Sequence, residues 1–183
     1  MNPPEKNDQS ANIWISRLNL KAHPEGGFYA ETYRSEDNCK LDRFHGDQRS
    51  CCTSIYYLLK YPESPKSRFH RIKADELWHY YSGLPLIIHI LDEQASTYSQ
   101  MILNNRLNDK LNGQPQLLVP HGKWFAAEII IDENEKNQVD YTLSGCTCSP
   151  GFDFQDFEFA TRSYLMEKFP SLESLITRLT FSD

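Results

Sequence analysis

Short runs of β-branched and aromatic residues recur along the chain, and each is cut off within about ten residues by Gly, Pro, Asn or Asp. Such runs are too short and too alternating for a helical bundle and read as strands. The spacing predicts strands over Phe28 to Arg34, Thr53 to Leu59, Arg68 to Ile72, Glu76 to Ser82, Leu86 to Leu91, Tyr98 to Leu103, Leu117 to Val119, Lys123 to Ile131 and Tyr141 to Cys148. Aromatics at 13% fit strands around an aromatic-lined interior. Helical signals are confined to the ends. Asn12 is placed to cap a helix over Ile13 to Leu20, Thr161 to cap one through Lys168, and Ser171 to Leu179 has helical spacing at Leu172, Leu175, Ile176 and Leu179. The pattern implies an antiparallel, mainly β sandwich or barrel with helices at both ends.

With 183 residues there is room for one full core, so residues 1–11 read as a flexible tail and 12–183 as a single domain. Residues 35–50 read as a polar loop, and Asp132 to Asn137 as a charged turn. A net charge of −6 argues against a nucleic-acid partner. No apolar stretch is long enough to span a membrane, and the polar N-terminus lacks a secretory h-region. Five cysteines, two of them adjacent, then read as free thiols in the cytoplasm. Cys146 and Cys148 read as small buried residues near a turn, and Phe152, Phe154, Phe157 and Phe159 as packing residues.

The densest polar constellation is FHRIKADELWHYYSG, residues 69–83. Two strands around a Lys73-Ala74-Asp75 turn would bring His70 beside Glu76. Alternation would then put Ile72, Glu76, Trp78 and Tyr80 on the same inner face. An imidazole beside a carboxylate in an aromatic cavity suits acid–base chemistry or ligand binding. Glu25, Tyr29, Arg34, Ser54, Tyr56 and Glu128 are further polar or amphipathic groups in or beside strands, and Arg34 has the planar fork that holds a carboxylate or phosphate. Gly26 and Gly27 read as a backbone bend.

His70, Glu76 and Gly83 keep an H-x5-E-x6-G frame, and Pro120-His121-Gly122 keeps a P-x-G. In these the chain resembles a cupin. More closely it resembles the DUF985 (cupin-5) family. That likeness is carried by HPEGGFYAETYRS (23–35), TSIYYLL (53–59), SRFHRIKADELWHYYSG (67–83), PQLLVPHGKWFAAE (115–128) and GCTCSPGFDFQDFEFATR (145–162). The resemblance implies a cupin jelly-roll β-barrel, or double-stranded β-helix. Metal-binding cupins use H-x-H, a Glu and a later His. Here Ile72 and Phe125 stand at two of the four positions, which leaves His70 and Glu76 as weak metal candidates. A divalent metal is thereby disfavoured and no cofactor is required. His79 or His89 would substitute only if a bulge broke strand parity.

Three functions follow as expectations. The first is a cupin binding a polar or sugar-like small molecule through Glu25, Tyr29, Arg34, Ser54, Trp78, Tyr80 and Glu128. The second is a metal-independent isomerase or epimerase of a nucleotide-linked keto sugar, with His70, Glu76 and Tyr56 as catalytic residues. The third is a structural or storage-like cupin. Exposed edge strands and aromatic strands imply a homodimer.

Overall fold

A computed structural model of the chain describes residues 10–105, 111–131 and 139–183. Residues 1–9 of the expected tail and the expected turn at Asp132 to Asn137 lie outside these. In chain order the elements are α1 (Ala11–Arg17), β1 (Lys21–Ala22), β2 (Phe28–Arg34), β3 (Asn38–Lys40), β4 (Gln48–Ser50), β5 (Thr53–Lys60), β6 (His70–Arg71), β7 (Asp75–Gly83), β8 (Leu86–Asp92) and β9 (Thr97–Leu103). There follow β10 (Gln116–Val119), β11 (Trp124–Ile129), β12 (Tyr141–Ser149), β13 (Glu158–Phe159), α2 (Arg162–Lys168) and α3 (Glu173–Leu179).

The strands form two facing sheets that do not close on each other. One has the order β1-β2-β5-β12-β7-β10 and the other β13-β6-β11-β8-β9, with every named pairing antiparallel. Between them lies the main core, with Tyr57, Leu59, Trp78, Ile88, Phe125, Ala127 and Leu117. Two strands are apolar on both faces because each outer face is also covered. Leu58, the alternate neighbour of Tyr57 and Leu59, is buried in the cluster that includes Ala11 of α1. Trp124 and Ala126 of β11 pack against Leu165 of α2 and Ile176 and Leu179 of α3. Glu128, on that same outer face, anchors α3: Arg178 donates to its carboxylate from Nη2 at 2.7 Å and from Nε at 3.1 Å. Among the described residues no helix is long and apolar enough to cross a membrane.

Several boundaries differ from expectation. The first helix starts at Ala11, whose side chain is buried, and its cap is Ser10, which accepts from the Asn12 backbone N–H. Residues 35–50 contain the β3–β4 hairpin and a short 3-10 turn, Asp42–Phe44. The largest difference is at residues 70–83. β6 and β7 are not a hairpin: β6 pairs with β11 and β13, β7 with β10 and β12, so the chain crosses from one sheet to the other at Ile72–Ala74. A three-residue connection reads the same in sequence whether it turns back or crosses over.

The β3–β4 hairpin is tied to the segment after β12 by a buried ion pair. Arg49 donates from Nε to Asp156 at 2.6 Å and from Nη2 at 3.1 Å, with Lys73 3.5 Å from the same carboxylate. Removing one partner of a buried pair strands the other charge, at about 3–5 kcal/mol. Arg49→Met should therefore lower unfolding free energy by about 3 kcal/mol, the low end because Lys73 remains. Urea denaturation checks this. A loss under about 0.5 kcal/mol would mean that the pair does not hold the segment.

Candidate functional site

The site lies between the sheets at the end where the chain crosses over, in a cavity of about 370 Å³. Its floor begins with the turn His23-Pro24-Glu25-Gly26-Gly27. The His23 N–H donates to the Gly27 carbonyl, and the Gly26 N–H to that of His23. Gly26 and Gly27 have φ of +114° and +71°. A Cβ on Gly26 would lie 2.5 Å from the Lys66 carbonyl oxygen, so the turn packs backbone to backbone as only glycine allows. The Arg68 N–H donates to the Glu25 carbonyl, which lays the turn alongside the start of β6 and aims Glu25 at His70.

His70 Nε2 is 3.0 Å from Glu25 Oε2. Its Nδ1 is 2.7 Å from the Arg68 carbonyl oxygen, which can only accept, so Nδ1 carries a proton. The imidazole lies between two rings, with centroids 4.1 Å from Phe125 and 5.1 Å from Phe157. Burial works against the imidazolium, but the Glu25 charge and hydrogen bond, the Arg68 carbonyl and the Glu76 charge outweigh it and raise the His70 pKa. Burial likewise works against ionised Glu25, and His70 outweighs it, so the Glu25 pKa is lowered. The sequence pattern expected Glu76 as the anionic partner of His70. Glu25 holds that place, because the crossover sets β6 and β7 in opposite sheets.

Glu76 opens β7 opposite Cys148 on β12 and Val119 on β10. It is buried, and burial followed by the Glu25 charge pushes its pKa up to about 7, against the opposing pull of His70. The cavity thus holds one carboxylate that is ionised and one that is substantially protonated at neutral pH, a separation set by their partners. Burial, and then the Glu76 charge, push the Cys146 and Cys148 thiols well up, so they are unreactive here.

Of the expected site residues, Glu25, Tyr29, Arg34, His70 and Glu76 line the cavity. Arg34 sits at the mouth, where its fork holds Glu31 and the Phe152 carbonyl. The other expected residues do not line it. Tyr56 and Ser54 face outward from β5, Tyr56 stacked edge-on to Tyr81 at 6.0 Å and Ser54 3.3 Å from Thr147 Oγ1. Alternation puts Thr53, Ile55 and Tyr57 on the wall instead. Trp78 is in the core, with its ring 5.5 Å from that of Tyr57. Tyr80 packs against the same core and donates to the Gly83 carbonyl. Glu128 points to the far side of β11, where His89 and Arg178 hold its pKa down to about 2 despite burial.

His23, Tyr57, Ile55, Cys146, Phe152, Phe154 and Phe157 also line the cavity, and none was singled out for it from the sequence. For Cys146 and Cys148 the C-x-C spacing itself was the available signal, since i and i+2 of a strand share a face.

The arrangement does not fit a cupin metal. Ile72 and Phe125 offer no donor atoms, the Phe125 ring is packed against His70, and His70 Nε2 is engaged by Glu25. A bulge does interrupt the β7–β12 pairing, at Leu143/Ser144. It leaves His79 on the outer face, within 3.2 Å of Thr147 Oγ1 and 3.1 Å of Gln116 Nε2. His89 is likewise turned away, toward Tyr98 and Glu128.

The chain matches the Cupin superfamily (DUF985) family over residues 12–160. It belongs to that family. A hypothetical protein from Leishmania major is 36% identical, with a TM-score of 0.83 over 94% of this chain and 99% of that one. A protein from Shewanella oneidensis is 32% identical, with a TM-score of 0.80 over 96% of this chain and 99% of that one. Oxalate decarboxylase from Bacillus subtilis is 13% identical at a TM-score of 0.52, over 88% of this chain and 37% of that one. That likeness concerns the jelly-roll fold alone. No curated protein matches the chain. Within this DUF985 cupin, 44% of the described residues are strand and 19% helix.

The His70–Glu25 pair has a defined pH window. The raised His70 pKa contributes stability below the ordinary imidazole range, lost as pH rises through the folded-state value. The lowered Glu25 pKa contributes stability above the ordinary carboxylate range, lost as pH falls through its folded-state value. Glu25→Gln keeps the shape and removes the charge. The stability gap between wild type and variant should be widest in mild acid to neutral solution and narrow toward both extremes, and the His70 pKa should fall. Urea titrations at stepped pH and imidazole NMR measure both. A gap independent of pH, or an unmoved His70, would contradict the pairing.

Proposed function

We propose that this DUF985 cupin binds a small polar, sugar-like molecule in the cavity and needs no metal to do so. The observation that carries the reading is the cavity's mixed lining. Buried Glu25, His70 and Glu76 share it with the rings of Tyr29, Phe152, Phe154 and Phe157 and with the exposed Lys21, Glu31 and Arg34. Aromatic rings stack on the C–H face of a sugar ring while a few polar groups read its hydroxyls, and about 370 Å³ is in the range of small-molecule sites. Burying Glu25, His70 and Glu76 together serves no packing purpose, which speaks against a purely structural or storage-like role.

Isomerase chemistry is the second reading. It is favoured by two buried carboxyl groups of opposite protonation facing one cavity, the pattern that proton transfer needs. The phenol of Tyr56 faces away, so Glu76 takes the acid role and the ionised Glu25 carboxylate, held in place by His70, the base role. The rest of the reading is a cytoplasmic homodimer. Tyr33, Tyr81 and Leu118 are exposed large side chains on the six-stranded sheet, whose edge strands β1 and β10 each have one neighbour. All five cysteines are free.

Titrating the protein with free sugars, sugar nucleotides and small organic acids, with His70 imidazole resonances as reporter, tests the binding reading. At least one hydroxylated compound should shift His70, and Ile55→Trp, which fills the cavity, should abolish the shift. If no compound moves His70, or Ile55→Trp leaves the response intact, the cavity is not the binding site. The same sugar nucleotides in deuterated water report carbon–hydrogen exchange if the isomerase reading holds.

A further inference from the structure

The floor of the cavity holds more carboxylates than cations. Glu25 and Glu76 are 6% and 8% exposed. His70 Nε2 is 3.0 Å from Glu25 Oε2, so the charge of Glu25 is answered within that pair. His23 adds no charge: its Nδ1 accepts from the Glu25 backbone N–H at 3.4 Å, which puts its proton on Nε2, and burial lowers its pKa. The cations at the mouth are engaged there, Arg34 by Glu31 and the Phe152 carbonyl, Lys21 over the Tyr29 ring at 5.1 Å. Glu76 is left with no cation of its own. The cavity is also lined by Tyr29, Tyr57, Phe152, Phe154 and Phe157, and ring faces attract cations.

We propose that the molecule bound in the cavity carries a protonated amine, and that this ammonium docks on the Glu76 carboxylate between the aromatic walls. The proposal rests on the binding reading above and narrows it to a chemical class, small amines and aminated sugars. An ammonium–carboxylate contact shielded from water is a charge-assisted hydrogen bond, about twice the strength of a neutral one. It also resolves the charge excess that otherwise keeps a proton on Glu76.

The groups acting on Glu76 are Glu25, which raises its pKa, His70, the Cys146 thiol and the Trp78 indole, which lower it, and the neighbouring Cys148 and Tyr57. The thiols and the phenol are held protonated by burial. Near neutral pH an arriving ammonium therefore meets the Glu76 carboxylic acid. The ammonium keeps its three protons, the Glu76 O–H bond breaks, and that proton leaves to solvent. Binding of an amine should tighten as pH rises through about 7, and binding of a neutral molecule of the same shape should not.

Benzylamine and benzyl alcohol make a matched pair of probes, equal in size and differing in charge. Calorimetric titration of the full chain near pH 8 should show benzylamine binding about tenfold tighter. Near pH 7, in buffers of different ionisation enthalpy, benzylamine should release about half a proton and benzyl alcohol none. Glu76→Gln should bring benzylamine down to the affinity that the same variant shows for benzyl alcohol and abolish the proton release. If that variant does not fold, proton release by the wild type decides alone. Equal affinities, no proton release, or an amine advantage that survives in folded Glu76→Gln would each overturn the proposal. A benzyl alcohol that moves the His70 resonance with no preference for the amine would overturn it while leaving the binding reading intact. If neither probe binds or shifts His70, and no hydroxylated compound does, both fail.

Discussion

Taking a carboxylate out of water into the space between two packed sheets costs several kcal/mol, and a single neutral hydrogen bond does not offset it. Glu25 is there because His70 is 3.0 Å away and itself carries a proton toward the Arg68 carbonyl. Much of the local architecture serves this contact. Two glycines at positive φ let the turn approach Lys66 and Leu58 backbone to backbone, and the Arg68 N–H fixes the height of Glu25 along β6. Phe125 and Phe157 fix the plane of the imidazole. The same pair sets the state of Glu76, whose acidity is weakened by burial and by the Glu25 charge more than His70 restores it.

A jelly roll brings the inner faces of two sheets together at one end of the sandwich, and a cupin places its polar groups there. In this chain the inward positions that would complete a metal site carry Ile72 and Phe125, and the ring of Phe125 closes over His70. The imidazole, freed from ligation, is paired with a carboxylate from the HPEGG turn. The polar groups of the cavity floor are thus a His–Glu pair plus one further carboxyl group.

Strand positions are readable because alternation and turn residues are local signals, and period two puts His70 with Ile72 on one face of β6 and its continuation, and Glu76 with Trp78 on one face of β7. Which face of β5 points inward was not readable. TSIYYLL carries large side chains on both sides, one face for the core and one for α1, so its pattern does not separate Tyr57, which lines the cavity, from Tyr56, the residue expected there. The partner of His70 was hidden for a different reason. Glu25 lies 45 residues away in sequence, and only the β6–β7 crossover separates His70 from Glu76. Glu128 misled because a strand carboxylate reads the same whether it faces a cavity or, as here, an arginine of a helix on the opposite side.

The protonation of His70 is the most direct test of this account. Nitrogen-15 NMR of the histidine side chains at neutral pH distinguishes an imidazolium, with hydrogen on both ring nitrogens, from either neutral tautomer. The geometry predicts hydrogen on both His70 nitrogens, Nδ1 toward the Arg68 carbonyl and Nε2 toward Glu25. A neutral His70 with a bare Nε2 would mean that Glu25 holds the proton instead, and the charge balance on which the cavity's chemistry rests would be wrong.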